Sequence, residues 1–380
     1  MKKKIIIFTS SGGSGHISAT KAIQSYLNDS YESRPIYIFN EVFNCIDPTA
    51  VLTFGKINGE HIYNFFLRRR WYGILNIFYN IGTWYFGLQS KTMTRLAKQF
   101  LEEQKPDLVI SVIPIINGVL LDATTLLNIP FLLLPTDMDV VTFIKGIDNP
   151  EPTKFSMTIA FDDPLVKAMV VPAHLNTQQI HTVGLPMRKD FFETKDKNAL
   201  KKKYEIIDNK PVIVLMMGGQ GNSNILAFAR ELSKLELGAH IIICLGKNSG
   251  VEEKIKKITF NSKVTVTILG YTERVSDLLA MADLLITKSG SVSFCEGIYM
   301  HIPMILDATA TLLYWERLNH VLLIEHEWGI SLTKISDINK AIITILGNSD
   351  NYQGIKKRLQ EFPKPRPDIL IPNLIEKILS

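Results

Sequence analysis

The chain has 380 residues, 46% of them hydrophobic and 21% charged, which excludes a disordered protein and predicts two globular domains at about 150 residues each. Its net charge of +5 is too small to indicate a nucleic-acid-binding protein, although a local basic cluster can still meet an anionic surface. Three widely spaced cysteines without a CxxC motif argue against a disulfide framework or a structural zinc site and fit a reducing compartment.

The first half of the chain alternates apolar runs with helical patterns. Residues 4–9 (KIIIFT) form a β-branched run that ends in a glycine-rich loop, after which Ala19, Ala22, Ile23 and Tyr26 repeat at helical spacing. Further apolar runs that predict strands are residues 34–39, 108–112 and 131–134. Continuous apolar runs are typical of strands buried on both faces, so we expect a parallel sheet covered by helices.

The same pattern starts again at residue 211 and predicts a second βαβ domain. Its predicted strands are residues 211–217, 240–244, 264–269, 283–287 and 303–306. The chain is therefore divided into an N-terminal domain (1–192), a lysine-rich linker (193–210), a C-terminal domain (211–362) and a tail (363–380). The tail ends in an apolar-periodic stretch, which would allow it to pack back on the N-terminal domain.

Two strand–glycine loop–helix units are the main functional signal. The glycine-loop candidates are Gly13 and Gly15 in the first unit and Gly219, Gln220 and Gly221 in the second. A helix N-terminus after a parallel strand offers N–H groups and a positive dipole end to an anion. The first loop lacks the third glycine of GxGxxG, and Glu41 lies farther along the chain than the usual ribose acid, so the signal for NAD is weak. Neither loop continues into the lysine of a P-loop ATPase.

His16 follows the first loop and allows two interpretations. It is either a polar residue that bonds the backbone at a helix start or a general base, since an imidazole with a pKa near 6.5 takes up protons near neutral pH. Position alone does not decide between them.

Residues 287–296 (TKSGSVSFCE) predict a strand end, a small-residue loop and a helix that begins near Ser291. Ser289, Gly290 and Ser291 can offer donors to a diphosphate, and Glu296 can accept ribose hydroxyls; the alternative is a plain helix start with a solvated Glu. Asp137 and Asp139 form a DxD pattern, a motif that can carry Mn²⁺, but two aspartates after a strand are common, so no metal is expected there. The scattered histidines do not cluster with the spacing of metal ligands.

An uncharged aromatic stretch, residues 71–90, follows Arg68, Arg69 and Arg70. Its asparagines, glycines and interfacial aromatics favour a surface-seeking or core segment over a membrane span. Trp71, Leu75, Phe78 and Tyr85 would share one helical face, so the arginines and this face together predict contact with an anionic membrane; the alternative is a core helix with a solvated end.

Several of these segments together resemble glycosyltransferase family 28, a group of GT-B enzymes. The matching segments are residues 12–19 (GGSGHISA), 106–111 (PDLVIS), 136–137, 184–188 with Phe191, 217–221 (MGGQG) and 269–297. The resemblance implies an α/β fold of two Rossmann-like domains that face each other across a cleft. Length and the aromatic, basic region favour the branch that transfers sugars to diacylglycerol over the branch that acts on lipid I.

The resemblance also implies residue roles in an inverting, UDP-sugar-dependent hexosyltransferase of glycolipid biosynthesis. His16 would be the base and Tyr271 would lie near uracil, and Asp137 would belong with the glycines of the first loop. The implied donor-binding residues are Gly219, Gln220, Gly221, Tyr271, Lys288, Ser289, Gly290, Ser291, Glu296, Glu316 and Asn319. No cofactor or metal is expected, and the enzyme would be peripheral on the cytoplasmic side of the cell membrane.

One position departs from the family pattern. Trp315 stands where a Gln normally precedes Glu316, and an indole cannot accept a hydrogen bond from a sugar hydroxyl. The sequence therefore does not decide which sugar is donated. The alternatives to a diacylglycerol acceptor are a polyprenyl-diphosphate sugar such as lipid I, or a GT-B protein that binds its ligands without turnover.

Overall fold

The computed structural model describes residues 2–13, 15–206, 209–219, 221 and 224–380. The chain forms two compact units. The first unit takes in Met1–Leu67, Gly73–Lys189 and Lys364–Ser380, and the second takes in Arg68–Tyr72 and Asp190–Pro363.

The first unit is built on a six-stranded sheet in the order β2-β1-β3-β4-β5-β6, with every neighbouring pair parallel. The strands are β1 (Lys3–Thr9), β2 (Tyr31–Tyr37), β3 (Leu108–Ser111), β4 (Phe131–Leu133), β5 (Phe155–Ile159) and β6 (Ile180–Thr182). Ile5, Ile6, Ile7 and Phe8 are all fully buried, as expected of a parallel strand that is covered on both faces.

Nine helices are described in the first unit. Helix α1 starts directly after the first glycine loop, and the C-terminal helix α17 packs against α1. The helices are α1 (Gly15–Tyr26), α2 (Ile38–Glu41), α3 (Pro48–Leu52), α4 (Gly59–Arg68), α5 (Tyr72–Leu88), α6 (Ser90–Gln104), α7 (Asn117–Leu126), α8 (Pro164–Ala168) and α17 (Pro367–Leu379).

The second unit repeats the design with a parallel six-stranded sheet in the order β12-β11-β10-β7-β8-β9. The strands are β7 (Val212–Met216), β8 (Ala239–Cys244), β9 (Val264–Leu269), β10 (Leu284–Lys288), β11 (Met304–Asp307) and β12 (Gly329–Leu332). The helices are α9 (Lys197–Lys203), α10 (Ile225–Leu232), α11 (Glu252–Lys256), α12 (Val275–Met281), α13 (Ser291–Tyr299), α14 (Arg317–Glu325), α15 (Ile338–Leu346) and α16 (Ser349–Glu361).

The fold class predicted from the sequence, α/β with two Rossmann-like units, is confirmed, and some local expectations need correction. The second strand spans Tyr31–Tyr37 instead of 34–39, because a helical turn begins at Ile38. Residues 193–210, expected to be a linker, lie in the second unit and contain α9. Lys195 anchors this segment through an ion pair with Asp277 at 2.8 Å.

In each sheet the strand order reverses at one point, and ligands of parallel α/β sheets bind at the carboxyl ends of the strands that flank such a point. In the first unit the reversal lies between β1 and β3, and in the second between β7 and β10. Both predicted glycine loops leave a strand at a reversal: one follows β1, and the other follows β7. The topology therefore marks one candidate ligand site in each unit.

Candidate active site

His16 lies at the reversal point of the first sheet, in the first turn of α1. Its Nδ1 atom is 2.8 Å from the carbonyl oxygen of Val112, just after β3, and 3.0 Å from the hydroxyl of Thr136, just after β4. A carbonyl can only accept, so Nδ1 carries the proton and Nε2 keeps its lone pair. Nδ1 thus makes the backbone hydrogen bond while Nε2 stays able to accept a proton. The two interpretations of His16 are therefore compatible.

The electrostatics of His16 favour the neutral ring. Burial lowers the pKa of His16 from its ordinary value of 6.5, while the hydrogen bond to Val112 and the charge of Glu60 oppose that shift. A lowered pKa keeps the imidazole unprotonated at neutral pH, which is the state that a general base needs.

The first glycine loop is held by helix α4. The buried carboxylate of Glu60 accepts from the Ser11 N–H at 2.8 Å and from the Ser10 hydroxyl at 2.5 Å. The side-chain oxygen of Asn64 accepts from the Gly13 N–H at 2.9 Å. The phosphate role expected of Gly13 is therefore not supported, because its N–H already has an acceptor and a carboxylate lies at the loop.

The other residues expected near this loop, Gly15 and Asp137, are neighbours in the chain of His16 or of the residue that touches it. Gly15 is the first residue of α1, and Asp137 is half-buried next to Thr136, the residue that touches His16. Asp139 caps its own turn, accepting from the Val141 N–H at 3.0 Å, and burial raises the pKa of its carboxyl. Among the described residues, no three His, Cys, Asp or Glu side chains gather in a group suited to a metal ion.

In the second unit, Lys288 ends β10 and lies against two glycines. Its Nζ atom is 2.9 Å from the carboxylate of Glu316. A Cβ on Gly290 would lie 2.5 Å from that Nζ atom, and a Cβ on Gly218 would lie 3.2 Å from the Lys288 Cε atom. Glycine at both positions therefore makes room for the lysine, which runs alongside the loops after β7 and β10.

Buried polar contacts brace the loop at the start of α13. The Ser289 hydroxyl donates to the carbonyl of Asp307 at 3.0 Å and lies 2.5 Å from Nε2 of His320. The Asn319 amide donates to the Ser289 carbonyl at 2.6 Å and to the Ser291 hydroxyl at 3.1 Å.

These contacts correct two expected roles. Asn319 is fully buried, so it fixes the loop and is not presented to a donor sugar. The hydroxyl of Ser289 likewise points into the protein, which leaves the backbone of Ser289, Gly290 and Ser291 as the part of this loop suited to an anion.

The remaining donor candidates lie in the same unit. Glu296 is buried in the second turn of α13, and Glu316 is buried beside Lys288. Tyr271 is 57% exposed, with the Lys247 ammonium 5.6 Å from its ring centre. The Gly219 carbonyl accepts from the Lys247 N–H at 3.1 Å.

Position 221 requires a glycine, because a Cβ there would lie 2.7 Å from the carbonyl oxygen of Leu245. Its φ of +75° is also in the left-handed region that favours glycine. The predicted donor residue Gln220 lies outside the described residues.

Arg70 is a clear departure from the sequence expectation. Its guanidinium Nη2 is 2.9 Å from the buried carboxylate of Asp307 and 3.1 Å from the Thr309 hydroxyl, all within the second unit. The membrane role predicted for Arg70 is therefore wrong, because this side chain is committed to an ion pair. Arg68, Arg69 and Trp71 are exposed.

The face of α5 predicted to meet a membrane is also wrong. Leu75 is buried, and the half-buried Tyr85 donates its hydroxyl to the Ile46 carbonyl at 2.8 Å. Leu75, Phe78 and Tyr85 therefore face the protein, as the core-helix alternative has it. Of the helices described, none combines the length and the apolarity needed to cross a bilayer.

Comparisons with known proteins find a family match in the second unit. Residues 212–307 match the model of the glycosyltransferase family 28 C-terminal domain, over the segment that runs from β7 to β11. Over this segment the chain is similar to glycosyltransferase family 28. It is a hexosyltransferase with a GT-B fold.

Relatives extend this match over most of the chain. A "Processive diacylglycerol beta-glucosyltransferase" of Bacillus cereus (strain G9842) is 25% identical over 313 residues, covering 80% of this chain and 76% of the relative. The protein of that name from Bacillus thuringiensis (strain Al Hakam) is 22% identical over 98% of this chain and 94% of its own length. Among solved structures, MurG of Acinetobacter baumannii shares the fold at 13% identity, with a TM-score of 0.64 over 99% of this chain and all of the other.

Sequence reasoning missed Glu60, Asn64, Asp307 and His320. Asp307 had a usable signal, since it ends an apolar run and so lies at the carboxyl edge of the sheet where sites form. Glu60 and Asn64 had none, because their partners are about fifty residues away and only the fold brings them to the first loop.

Proposed function

We propose that the protein transfers a hexose from a UDP-sugar to the free hydroxyl of 1,2-diacylglycerol, with inversion at the anomeric carbon. The observation that carries this proposal is the geometry of His16, whose protonated Nδ1 is bound by Val112 and whose Nε2 is thereby left as the basic atom. The family and the names of the two Bacillus relatives support the reaction class and the lipid acceptor.

In the proposed step, the acceptor oxygen attacks the anomeric carbon as the bond from that carbon to the UDP oxygen breaks. His16 Nε2 takes the proton of the attacking hydroxyl, and UDP leaves with the electron pair of the broken bond. Proton transfer to a positioned base contributes typically about 10²–10⁴-fold to the rate. One C–O bond forms and one breaks at the anomeric carbon, while the proton passes from the acceptor oxygen to His16 Nε2, so no oxidation state changes and no redox cofactor is required.

The second unit supplies the donor site of this proposal. The first-turn N–H groups of α13 and the Lys288 ammonium would stabilise the diphosphate as it leaves, with Gly219 and Gly221 letting it approach the loop after β7. Glu296 would accept the ribose hydroxyls, and Tyr271 would lie near the uracil. Glu316, adjacent to Lys288, would contact the sugar.

The first loop favours a neutral acceptor over a diphosphate-linked one. Its Ser11 and Gly13 N–H groups are used by Glu60 and Asn64, and the Glu60 carboxylate would repel a second anion. A hydroxyl of an uncharged lipid carries no such penalty. This is why diacylglycerol is preferred here to a polyprenyl-diphosphate sugar.

The test is an acceptor and donor panel with product identification. UDP-glucose, UDP-galactose and UDP-N-acetylglucosamine are each offered with diacylglycerol or with lipid I, and lipid products are identified by mass spectrometry. We expect a glycosyl-diacylglycerol with at least one donor and no product from lipid I. Transfer to lipid I alone would replace the acceptor, and UDP binding without any transfer would indicate a non-catalytic protein.

A further inference from the structure

Arg70 is fixed at the carboxyl edge of the second sheet, although the chain before and after its segment belongs to the first unit. Residues Arg68–Tyr72 are part of the second unit. The Arg70 guanidinium is held there through its Nη2 atom, which donates to the Asp307 carboxylate and to the Thr309 hydroxyl. Asp307 is the last residue of β11, and only 3% of its side chain is exposed. A residue between two helices is thus bound to a buried strand end, which calls for a functional reason.

The ion pair of Arg70 and Asp307 lies beside a second ion pair. In the register of β10 and β11, Lys288 is the direct neighbour of Asp307, and neighbouring strands are about 4.8 Å apart. Lys288 has its own carboxylate partner, Glu316, at 2.9 Å. Two cations and two carboxylates, none with a side chain more than 28% exposed, therefore lie close together at the ends of adjacent strands. Their formal charges cancel.

Tyr72 lies next to both ion pairs. The Arg70 guanidinium carbon is 6.0 Å from the centre of its ring. Burial raises the pKa of the Tyr72 hydroxyl, and the charges of both ion pairs also act on this pKa: the two cations lower it and the two carboxylates raise it. Since charges act strongly only over short distances, the hydroxyl is close to all four charged groups. In the part of the chain that the structure describes, this hydroxyl forms no hydrogen bond.

The two ion pairs keep hydrogen-bonding capacity that the described residues do not use. Both hydrogen bonds of the Arg70 guanidinium go through Nη2, so its Nη1 donors remain, and its buried Nε has no partner among the described residues. The Glu316 carboxylate binds Lys288 through Oε1, which leaves Oε2 as an acceptor. With the Tyr72 hydroxyl, this makes a cluster of donors and acceptors on side chains that are mostly buried.

Such a cluster fits sugar hydroxyls better than phosphate. A hydroxyl both donates and accepts, so a guanidinium beside a carboxylate satisfies both of its roles. A phosphate only accepts, and the carboxylates of Asp307 and Glu316 would oppose its charge. The unit also has a separate place for an anion at the first-turn N–H groups of α13.

We propose that Arg70 and Tyr72 bind hydroxyl groups of the donated hexose, and that Arg70 is a specificity-determining residue for the choice of hexose. Asp307 and Thr309 hold the guanidinium in place for this contact. A site built to hydrogen-bond a hydroxyl discriminates strongly against an analogue that lacks it, because the buried polar groups are then left unpaired. The inference rests on the proposed function for the class of donor, a UDP-sugar.

The experiment is calorimetry without an acceptor, and it compares UDP with the tightest-binding of UDP-glucose, UDP-galactose and UDP-N-acetylglucosamine. Tyr72→Phe removes one hydroxyl, and Arg70→Lys keeps a cation beside Asp307 but loses the planar fork of the guanidinium. We expect UDP-hexose binding to weaken by about 3–10-fold in Tyr72→Phe and by about tenfold or more in Arg70→Lys, with UDP binding unchanged.

Tyr352→Phe is the matched control. Its hydroxyl bonds Asp283 at 3.2 Å, just before β10 and so at the opposite edge of the same sheet. This variant should bind both ligands like wild type, which separates the loss of a buried tyrosine hydroxyl from the loss of one at the hexose.

UDP-hexose analogues that each lack one sugar hydroxyl give a second measurement that a merely structural role would not change. The wild type should bind at least one analogue more weakly than the parent donor, and Arg70→Lys should largely lose that discrimination. Two results would overturn the inference: UDP affinity that falls as much as UDP-hexose affinity in the variants, or discrimination among the analogues that stays as in wild type. Wild-type binding of a UDP-hexose without any transfer to diacylglycerol would count against the proposed function alone.

Discussion

The two glycine loops look alike in sequence but carry opposite chemistry in the structure. The loop after β1 is occupied by the Glu60 carboxylate, which binds its N–H and hydroxyl groups. The loops after β7 and β10 instead lie along the Lys288 ammonium, whose partner is the Glu316 carboxylate. The comparison teaches that a glycine loop at a helix start is an anion site only if the protein does not fill it with an anion of its own.

The largest effect is expected from His16. His16→Ala should lower kcat by about 10²–10⁴-fold, because no other described group is proposed to take the acceptor proton. UDP affinity by calorimetry should stay near that of wild type, since His16 belongs to the first unit and the proposed donor residues to the second. If UDP affinity fell together with kcat, His16 would not act as a base only.

Lys288→Met tests the other loop. Losing a charge-assisted hydrogen bond of about 1.5–3 kcal/mol should weaken UDP binding by about 10–150-fold. The variant also leaves the buried Glu316 carboxylate without its ammonium partner, so its melting temperature should fall. Lys288→Met combined with Glu316→Gln is the control: it should regain the stability but not the UDP affinity, and recovery of both would assign Lys288 a purely structural role.

Glu60→Gln tests the first glycine loop through the pH dependence of kcat/KM. The Glu60 charge raises the pKa of His16 against the larger effect of burial, so removing that charge should move the acid limb of kcat/KM to lower pH. In the wild type that limb should already lie below pH 6.5, because activity is lost only as the pH falls through the lowered pKa. An acid limb above 6.5 in the wild type would contradict the neutral, desolvated imidazole.

The smallest effect is expected from Thr136→Val. The Thr136 hydroxyl lies 3.0 Å from His16 Nδ1, but the Val112 carbonyl keeps the tautomer, so kcat should fall by less than about tenfold. Steady-state kinetics and a pH profile check this. A loss as large as that of His16→Ala would mean that Thr136, and not Val112, orients the ring.

Much of the fold could be read from the sequence because the central strands are continuous apolar runs. The predicted and observed limits of the strand at 264–269 are the same, and those of most other predicted strands differ by one residue at one or both ends. Strands β5, β6 and β12 were missed because they are short and carry polar residues such as Ser156 and His181, which dilute the apolar signal.

The site was less predictable where several residues look alike in sequence and only the folded structure shows which of them is buried or paired. Helix α5 is apolar on two faces, so periodicity alone could not tell the inward Leu75 from the outward Ile77. Three consecutive arginines look equal in sequence, yet only Arg70, at φ +58°, reaches the carboxylate of Asp307. These outcomes depend on partners far away along the chain.

The most direct test of the account is the anomeric configuration of the lipid product, determined by NMR after incubation with an α-linked UDP-hexose and 1,2-diacylglycerol. A neutral base in the first unit and an anion-stabilising loop in the second predict a β-linked glycosyl-diacylglycerol that disappears with His16→Ala. An α-linked product, or an undiminished yield from the His16 variant, would contradict direct displacement assisted by this imidazole.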